Sequence, residues 1–270
     1  MSHSSNLAYI VGKIMGDGHL EKTLGSCFFI DGSEESLIRM KNLLIHRMYI
    51  DPKALGLKKS LSSKGTSYKL RVSSVEFCRK LHRVGAPAGN KTSFAFDVPF
   101  WIYSDRNFAK SFLQGILEDE LTTIKIESGS HSVVIQFKMS KHKDYLLEHL
   151  KFMQKIKLMV ESFSVDCSHV LYFKSKEKDK FEVYFRIQRN KANLLRFKEN
   201  IGFKLNRDKI KSLKECCVIL KKRLKPKINI VEILDLSYSG RSIREISTIT
   251  KVNRSTVHRI IQKDTLINKY

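Results

Sequence analysis

Apolar positions along the chain repeat with a period near 3.6 residues in some stretches and near two in others, and the order of these stretches occurs twice. Residues 7–18 read as a helix, followed by two short strand-like runs at 19–22 and 26–30. A second helix at 34–48 carries Leu37, Met40, Leu44 and Met48 at helical spacing. Alternating runs at 57–62 and 67–72 then predict two strands, and a helix at 77–84 closes on a glycine-bearing basic turn, 85–91. The same order returns as a helix at 108–121, strands at 122–126 and 133–138, a helix at 143–159 with Leu146, Leu150, Met153 and Ile156, strands at 168–174 and 181–188, and a helix at 194–200. That copy also ends on a basic turn, Ile201, Gly202, Phe203 and Lys204. Gly12 and Gly115, like Asp17 and Glu120, stand 103 residues apart (115 minus 12, 120 minus 17).

Residues 98–102 join the copies, and a helix at 213–224 ending in Lys221, Lys222 and Arg223 leads to Pro226, the expected domain boundary. Beyond it the pattern changes to three short helices. The first spans 229–237 with Ile230, Ile233 and Leu234. Ser242 and Glu245 have capping-box spacing ahead of a second helix to about 249, with Ile243 and Ile246 inward. Asn253 caps a third at 254–262, with Val257, Ile260 and Ile261 inward. The expected fold is therefore α+β: repeats at 1–104 and 105–225, each helix, two strands, helix, two strands, helix, plus a small all-α domain at 226–270.

Charge changes the picture most. Fifty Lys and Arg against 27 Asp and Glu leave +23 over 270 residues, so a polyanion is the expected partner, because cationic side chains on phosphates release counterions. A content of 42% hydrophobic residues supports sizeable cores and excludes a basic tail. No run approaches the ~18 apolar residues of a membrane span, and the opening residues lack a signal peptide's regions, so a soluble protein of cytoplasm or nucleoid is expected. The five cysteines, Cys27, Cys78, Cys167 and the adjacent Cys216 and Cys217, lack zinc or disulfide spacing and read as reduced core or helix residues.

The chemistry points to the helices that open each copy. Each has an interior glycine, which costs ~1 kcal/mol against alanine, so close helix packing is its natural use. Each then reaches a carboxylate five residues later, Asp17 or Glu120. Helices crossing at the glycines bring the acids together, and paired acids on a basic protein call for a hard cation such as magnesium. A single copy fits a plain packing helix equally well; two copies in matching context favour the metal site.

At these residues the chain resembles the LAGLIDADG homing endonuclease family in its single-chain, two-repeat, archaeal-type form. Residues 10–18 match the nine-residue motif at the glycine, the acid and the final glycine, and 113–121 match at the glycine and the acid. The resemblance covers about residues 5–210, including a strand like 68–74 and a linker like 85–92 with Val98 and Pro99. It implies a site-specific double-stranded DNA endonuclease, monomeric with internal pseudo-two-fold symmetry, using Mg2+ or Mn2+. Asp17 and Glu120 would hold metal, with Gly16 and Asp119 beside them. Lys138 and Lys141 would be the basic residues after the second strand of copy two. Copy one has Asp31, Gly32 and Ser33 there, and Leu121 stands where the family has a glycine.

The strands support a DNA reader. Ser67, Lys69, Arg71 and Ser73 alternate with Tyr68, Leu70 and Val72, and Glu182, Tyr184, Arg186 and Gln188 alternate with Phe181, Val183, Phe185 and Ile187. Arg71, Arg186 and Gln188 have the chemistry to read base edges. Lys58, Lys59 and Lys64, or Lys174, Lys176, Lys178 and Lys180, suit phosphates, and Lys22, Lys69 and Lys125 complete the expected DNA-binding set. Residues 242–261 resemble a helix-turn-helix of the resolvase or transposase type, which implies Arg254, Ser255, His258 and Arg259 on DNA, with Gln262 also outward. The rival readings are a non-cleaving DNA-binding transcription regulator and an RNA-binding intron maturase, with intron RNA as partner. Without a cysteine and histidine pair suited to self-splicing ends, a free-standing protein is expected.

Overall fold

The computed structural model describes residues 3–62, 65–121, 125–126, 133–222 and 229–267. Lys64, the start of the expected strand at 122–124, Arg223 and the expected boundary at Pro226 lie outside them. The chain forms two compact units, Met1–Val218 and Ile219–Tyr270.

The first unit opens with α1 (Ser5–Met15), capped by the Ser4 hydroxyl on the Leu7 amide. Strands β1 (His19–Leu20) and β2 (Cys27–Asp31) follow, then α2 (Glu34–Met48), β3 (Leu55–Ser62), β4 (Gly65–Val72) and α3 (Val75–Arg83). The four strands make one antiparallel sheet in the order β1-β2-β4-β3. Its alternation is the predicted one: Leu70 and Val72 are buried while Arg71 and Ser73 face solvent.

A 3-10 turn at Phe100–Ser104 leads into α4 (Arg106–Glu120), whose cap is Asp105. Then come β5 (Lys125–Ile126), β6 (Val133–Val134), β7 (Gln136–His142), α5 (Leu146–Glu161), β8 (Leu171–Lys174), β9 (Lys180–Arg186), α6 (Lys191–Arg196) and α7 (Arg207–Lys222). The expected strand at 133–138 is two strands in different sheets: β6 pairs with β5, while β7 joins the three-stranded sheet β7-β9-β8. Ile135, 1% exposed, divides them, and its carbonyl accepts from the Ile187 amide.

Helices α1 and α4 pack backbone to backbone. A Cβ at Gly12 would collide with the Phe112 carbonyl oxygen and lie 2.9 Å from the Ile116 nitrogen. One at Gly115 would collide with the Tyr9 carbonyl oxygen and lie 3.0 Å from the Lys13 nitrogen. Only glycine allows that approach, which accounts for both interior glycines. Tyr9, Ile10, Phe112 and Ile116 are all 0% exposed at this interface.

The second unit has its own small core. Helices α8 (Ile230–Tyr238), α9 (Ile243–Thr250) and α10 (Arg254–Ile267) pack through Ile233, Ile246, Val252 and Val257. Ser242 and Glu245 form the expected capping box. Lys251 follows α9 with φ 56°, a left-handed conformation, which is the geometry that makes glycine common at such turns. Among the described residues no helix is long and apolar enough to cross a membrane.

Candidate active site

Because the glycines let α1 and α4 cross closely, the ends of the two helices come together. Asp17 lies just past α1, whose last helical residue is Met15, and Glu120 is the last residue of α4. Both line a cavity of about 470 Å³ together with Lys91, Lys141, His19 and His149. The two acids expected at one end of the helix pair therefore share a cavity. Burial, and next the charge of Asp17, push the Glu120 carboxyl well above the usual carboxylate range, against the pull of Lys91.

Two lysines that the sequence reading did not single out hold the helix ends. The Lys91 ammonium donates to the carbonyl oxygens of Ile14 (2.7 Å) and Gly18 (2.6 Å), and also to that of Gly16. Lys209 donates to those of Glu118 (2.6 Å) and Leu121 (2.7 Å). Each thus satisfies carbonyls that a helix C-terminus leaves free and puts a positive charge at its negative end. The basic turn closing each repeat was the available clue for Lys91. Lys209 was out of register, lying 118 residues after Lys91 (209 minus 91) rather than 103.

Asp119 is already engaged. It forms an ion pair with Lys13, and its other oxygen accepts from the Asp17 amide at 3.2 Å. Burial nevertheless raises its carboxyl to about 7. Gly16, the other backbone position expected beside the metal, has its carbonyl taken by Lys91. The neighbouring Glu118 accepts from the Tyr9 hydroxyl and the Leu205 amide (2.7 Å), which ties α4 to the end of the second repeat.

Lys138 and Lys141 separate by strand parity. Lys141 is 2% exposed, donates to the Lys91 carbonyl oxygen and lies 4.1 Å from the centroid of Phe96. Burial and then the charge of Lys91 bring it down to about 8. Lys138, expected beside it, projects from the other face of β7, where it pairs with Glu182 and does not line the cavity. His149, 2% exposed, stacks on Phe152 with its Nε2 unpartnered. Burial, then Lys141, lower its pKa to about 3, so the ring is neutral.

A second cavity of about 380 Å³ lies where the first repeat offers Asp31, Gly32 and Ser33. Its lining includes Asp17, Asp119, Asp208 and Lys209. No lysine comes from β2 here; the cation is Lys209, supplied by α7.

On the outer face of the first sheet, Lys58 pairs with Lys69, and Arg71 stands beside them opposite Gly56. Lys69 also lies 3.6 Å from the Phe28 ring centroid. Lys59 is opposite Tyr68, so parity turns it to the other face. In the second sheet Arg186 pairs with Gln136 on the outer face, whereas Lys174, opposite Phe181, is on the inner one. Gln188 lines a cleft with Arg186 and Arg189. Lys22 is exposed after β1, and Lys125 lies in β5. On α10, Arg254, Ser255, His258, Arg259 and Gln262 are all exposed, as expected. All five cysteines are buried and free, as expected.

Among the described residues, no group of three or more His, Cys, Asp or Glu is placed to hold a metal ion. The carboxylates lining the first cavity are those of Asp17 and Glu120. Their placement in one cavity suits a hard divalent cation, whose charge would offset the burial and the Asp17 charge that raise the Glu120 carboxyl. Asp119 and the Gly16 carbonyl, both taken, fit that role less well.

No protein-family model matches the chain. It is 29% identical over 178 residues to the DNA-directed RNA polymerase subunit Rpo1N of Methanocaldococcus jannaschii, which is 60% of this chain and 13% of that protein. It is 25% identical over 224 residues to the tRNA-splicing ligase RtcB of Methanopyrus kandleri, 75% of this chain and 21% of that protein. With the replication factor C small subunit of Methanocaldococcus jannaschii it shares 25% over 217 residues, 74% of this chain and 11% of that protein. The chain thus spans about a fifth or less of the length of these relatives. Among solved structures it is similar to mesophilic variants of the homing endonuclease I-DmoI (TM-score 0.43, 13% identity, 75% of this chain and 98% of that one). It is also similar to the LAGLIDADG meganuclease I-AabMI bound to uncleaved DNA (TM-score 0.39, 12% identity, 91% and 98%). Neither likeness is close enough to bear on this chain's chemistry.

Proposed function

We propose that this chain is a site-specific, divalent-metal-dependent endonuclease of double-stranded DNA, built as two pseudo-symmetric LAGLIDADG-type halves with a helix-turn-helix reader after them. The observation that carries this reading is the convergence of Asp17 and Glu120 in one cavity with Lys91 and Lys141, on a chain of charge +23. The matched stretch is a minor part of an RNA polymerase subunit, a tRNA ligase and a replication factor, whose names share no activity. What it carries is therefore something other than those activities.

A magnesium or manganese ion held by the carboxylates of Asp17 and Glu120 would supply water activation and leaving-oxygen stabilisation for phosphodiester hydrolysis. The side chains do the rest. Lys141, fixed by the Lys91 carbonyl and the Phe96 ring, aims a buried positive charge into the cavity and steadies a scissile phosphate there. Lys91 holds the carbonyl end of α1 and so keeps Asp17 in position. Lys209 does the same for Glu120 at the end of α4. Phosphates along the strands meet Lys58 and Lys69, while Arg71, Arg186 and the outward residues of α10 reach base edges.

A second reading, a DNA-binding regulator that does not cut, is favoured by one observation: Gly32 where the second repeat has its lysine, beside an acid-lined cavity. The two readings part on DNA carrying the gene's own flanking locus joined into uninterrupted sequence. A discrete cut with Mg2+, absent with EDTA, supports the nuclease. Salt-dependent binding to one site with no cut under either condition supports the regulator.

A further inference from the structure

The outer faces of the two sheets differ in chemistry at equivalent places. In the first sheet the edge strand β3 presents Gly56 and Lys58, opposite Arg71 and Lys69. In the second, the edge strand β8 presents Leu171 and Phe173, opposite Tyr184 and Glu182. Leu171 is 49% and Phe173 46% exposed, and the Phe173 ring meets Tyr184 edge-on at 5.8 Å. Arg186 extends the row, its guanidinium 5.5 Å from the Tyr184 centroid. The second face is also less cationic, since Glu182 neutralises Lys138.

An apolar pair at a sheet edge normally invites pairing with another strand. Here it is continuous with the Arg186 guanidinium, which Gln136 braces on the same face, so its surroundings suit a polyanion with apolar groups of its own. In a DNA major groove the one apolar group is the thymine 5-methyl. We propose that the two half-sites are read by different chemistry: Leu171 and Phe173 select thymine methyls in the half facing the second repeat, whereas Lys58, Lys69 and Arg71 read the other half through phosphates and guanine edges. This inference rests on the DNA-binding reading above.

Deoxyuridine in place of thymine removes only that methyl. A preferred duplex is selected from a random pool, and the half on each repeat is located by strand scission from an iron chelate on one introduced surface cysteine, the five native ones being buried. Binding is then measured by fluorescence anisotropy with deoxyuridine in one half at a time. Each contacted thymine so replaced in the second-repeat half should weaken binding about fourfold, as for one buried methylene-sized group, and replacement in the first half should have no effect. The loss should vanish in the double variant Leu171→Ser with Phe173→Ser, which should still bind the other half as before. Equal effects in both halves, or none in either with tight selective binding retained, would overturn the inference while leaving DNA recognition standing. Failure to select any sequence would overturn the DNA-binding reading and this inference with it.

Discussion

Asp17 and Glu120 line the same cavity although 103 residues separate them in the chain (120 minus 17). What joins them is the absence of side chains at Gly12 and Gly115, which lets one helix backbone rest on the other. Everything proposed for the site depends on that approach.

Gly12→Ala and Gly115→Ala should each destabilise the fold by about 1–3 kcal/mol, the usual range for an overpacked core. The sign is diagnostic, because in a solvated helix the same change gains ~1 kcal/mol. Urea denaturation measures it, and a stabilised variant would contradict the packing described.

Lys138 and Lys141 should behave differently. Lys141→Met should lower the cleavage rate at saturating DNA by roughly 10²-fold, as for loss of one preorganised cationic donor. Lys138→Met, on the outer face against Glu182, should change affinity a few-fold at most and leave the rate alone. Single-turnover cleavage of both variants decides this; equal rate losses would contradict the assignment.

This pair also shows how far the sequence could be read. Both lysines are evident near the end of one strand, but choosing between them needs that strand to run past the expected end at 138 to His142, so that alternation carries Lys141 to the buried face of Phe137 and Met139. The helix at Glu34–Met48 was legible to the residue because its cap, spacing and end all agree. Lys91 and Lys209 were not, since their partners are backbone carbonyls, which leave no trace in residue identity. Charge marks Lys59 and Lys174 for phosphates; both are exposed, and alternation sets them on the faces opposite Lys58 and Arg186, a distinction that charge does not carry.

Acid should destabilise the fold through His149. Its folded pKa is about 3, against about 6.5 for an ordinary histidine. As pH falls through ~6.5 the unfolded chain takes up a proton that the folded chain refuses until about 3, so stability falls across that window. His149→Phe should make unfolding free energy shallower by roughly 1.4 kcal/mol per pH unit between about pH 6 and 4. Denaturation curves at three pH values check this; an unchanged slope would place the effect elsewhere.

Removing residues 226–270 should weaken DNA binding yet leave cleavage chemistry intact, because both acids and their lysines belong to the first unit. Cleavage at saturating truncated protein measures this. Loss of metal-dependent cutting there would mean that the C-terminal unit contributes to the site.

The central claim is that Asp17 and Glu120 together hold the ion that cuts DNA. It is tested most directly by comparing the wild type with the double variant Asp17→Asn, Glu120→Gln on the same target duplex, with Mg2+ cleavage and Ca2+ binding followed in parallel. A discrete cut by the wild type, lost in a variant that still binds the duplex, is the predicted result. Cutting that survives in the double variant, or tight wild-type binding with no cut at any Mg2+ or Mn2+ concentration, would contradict it.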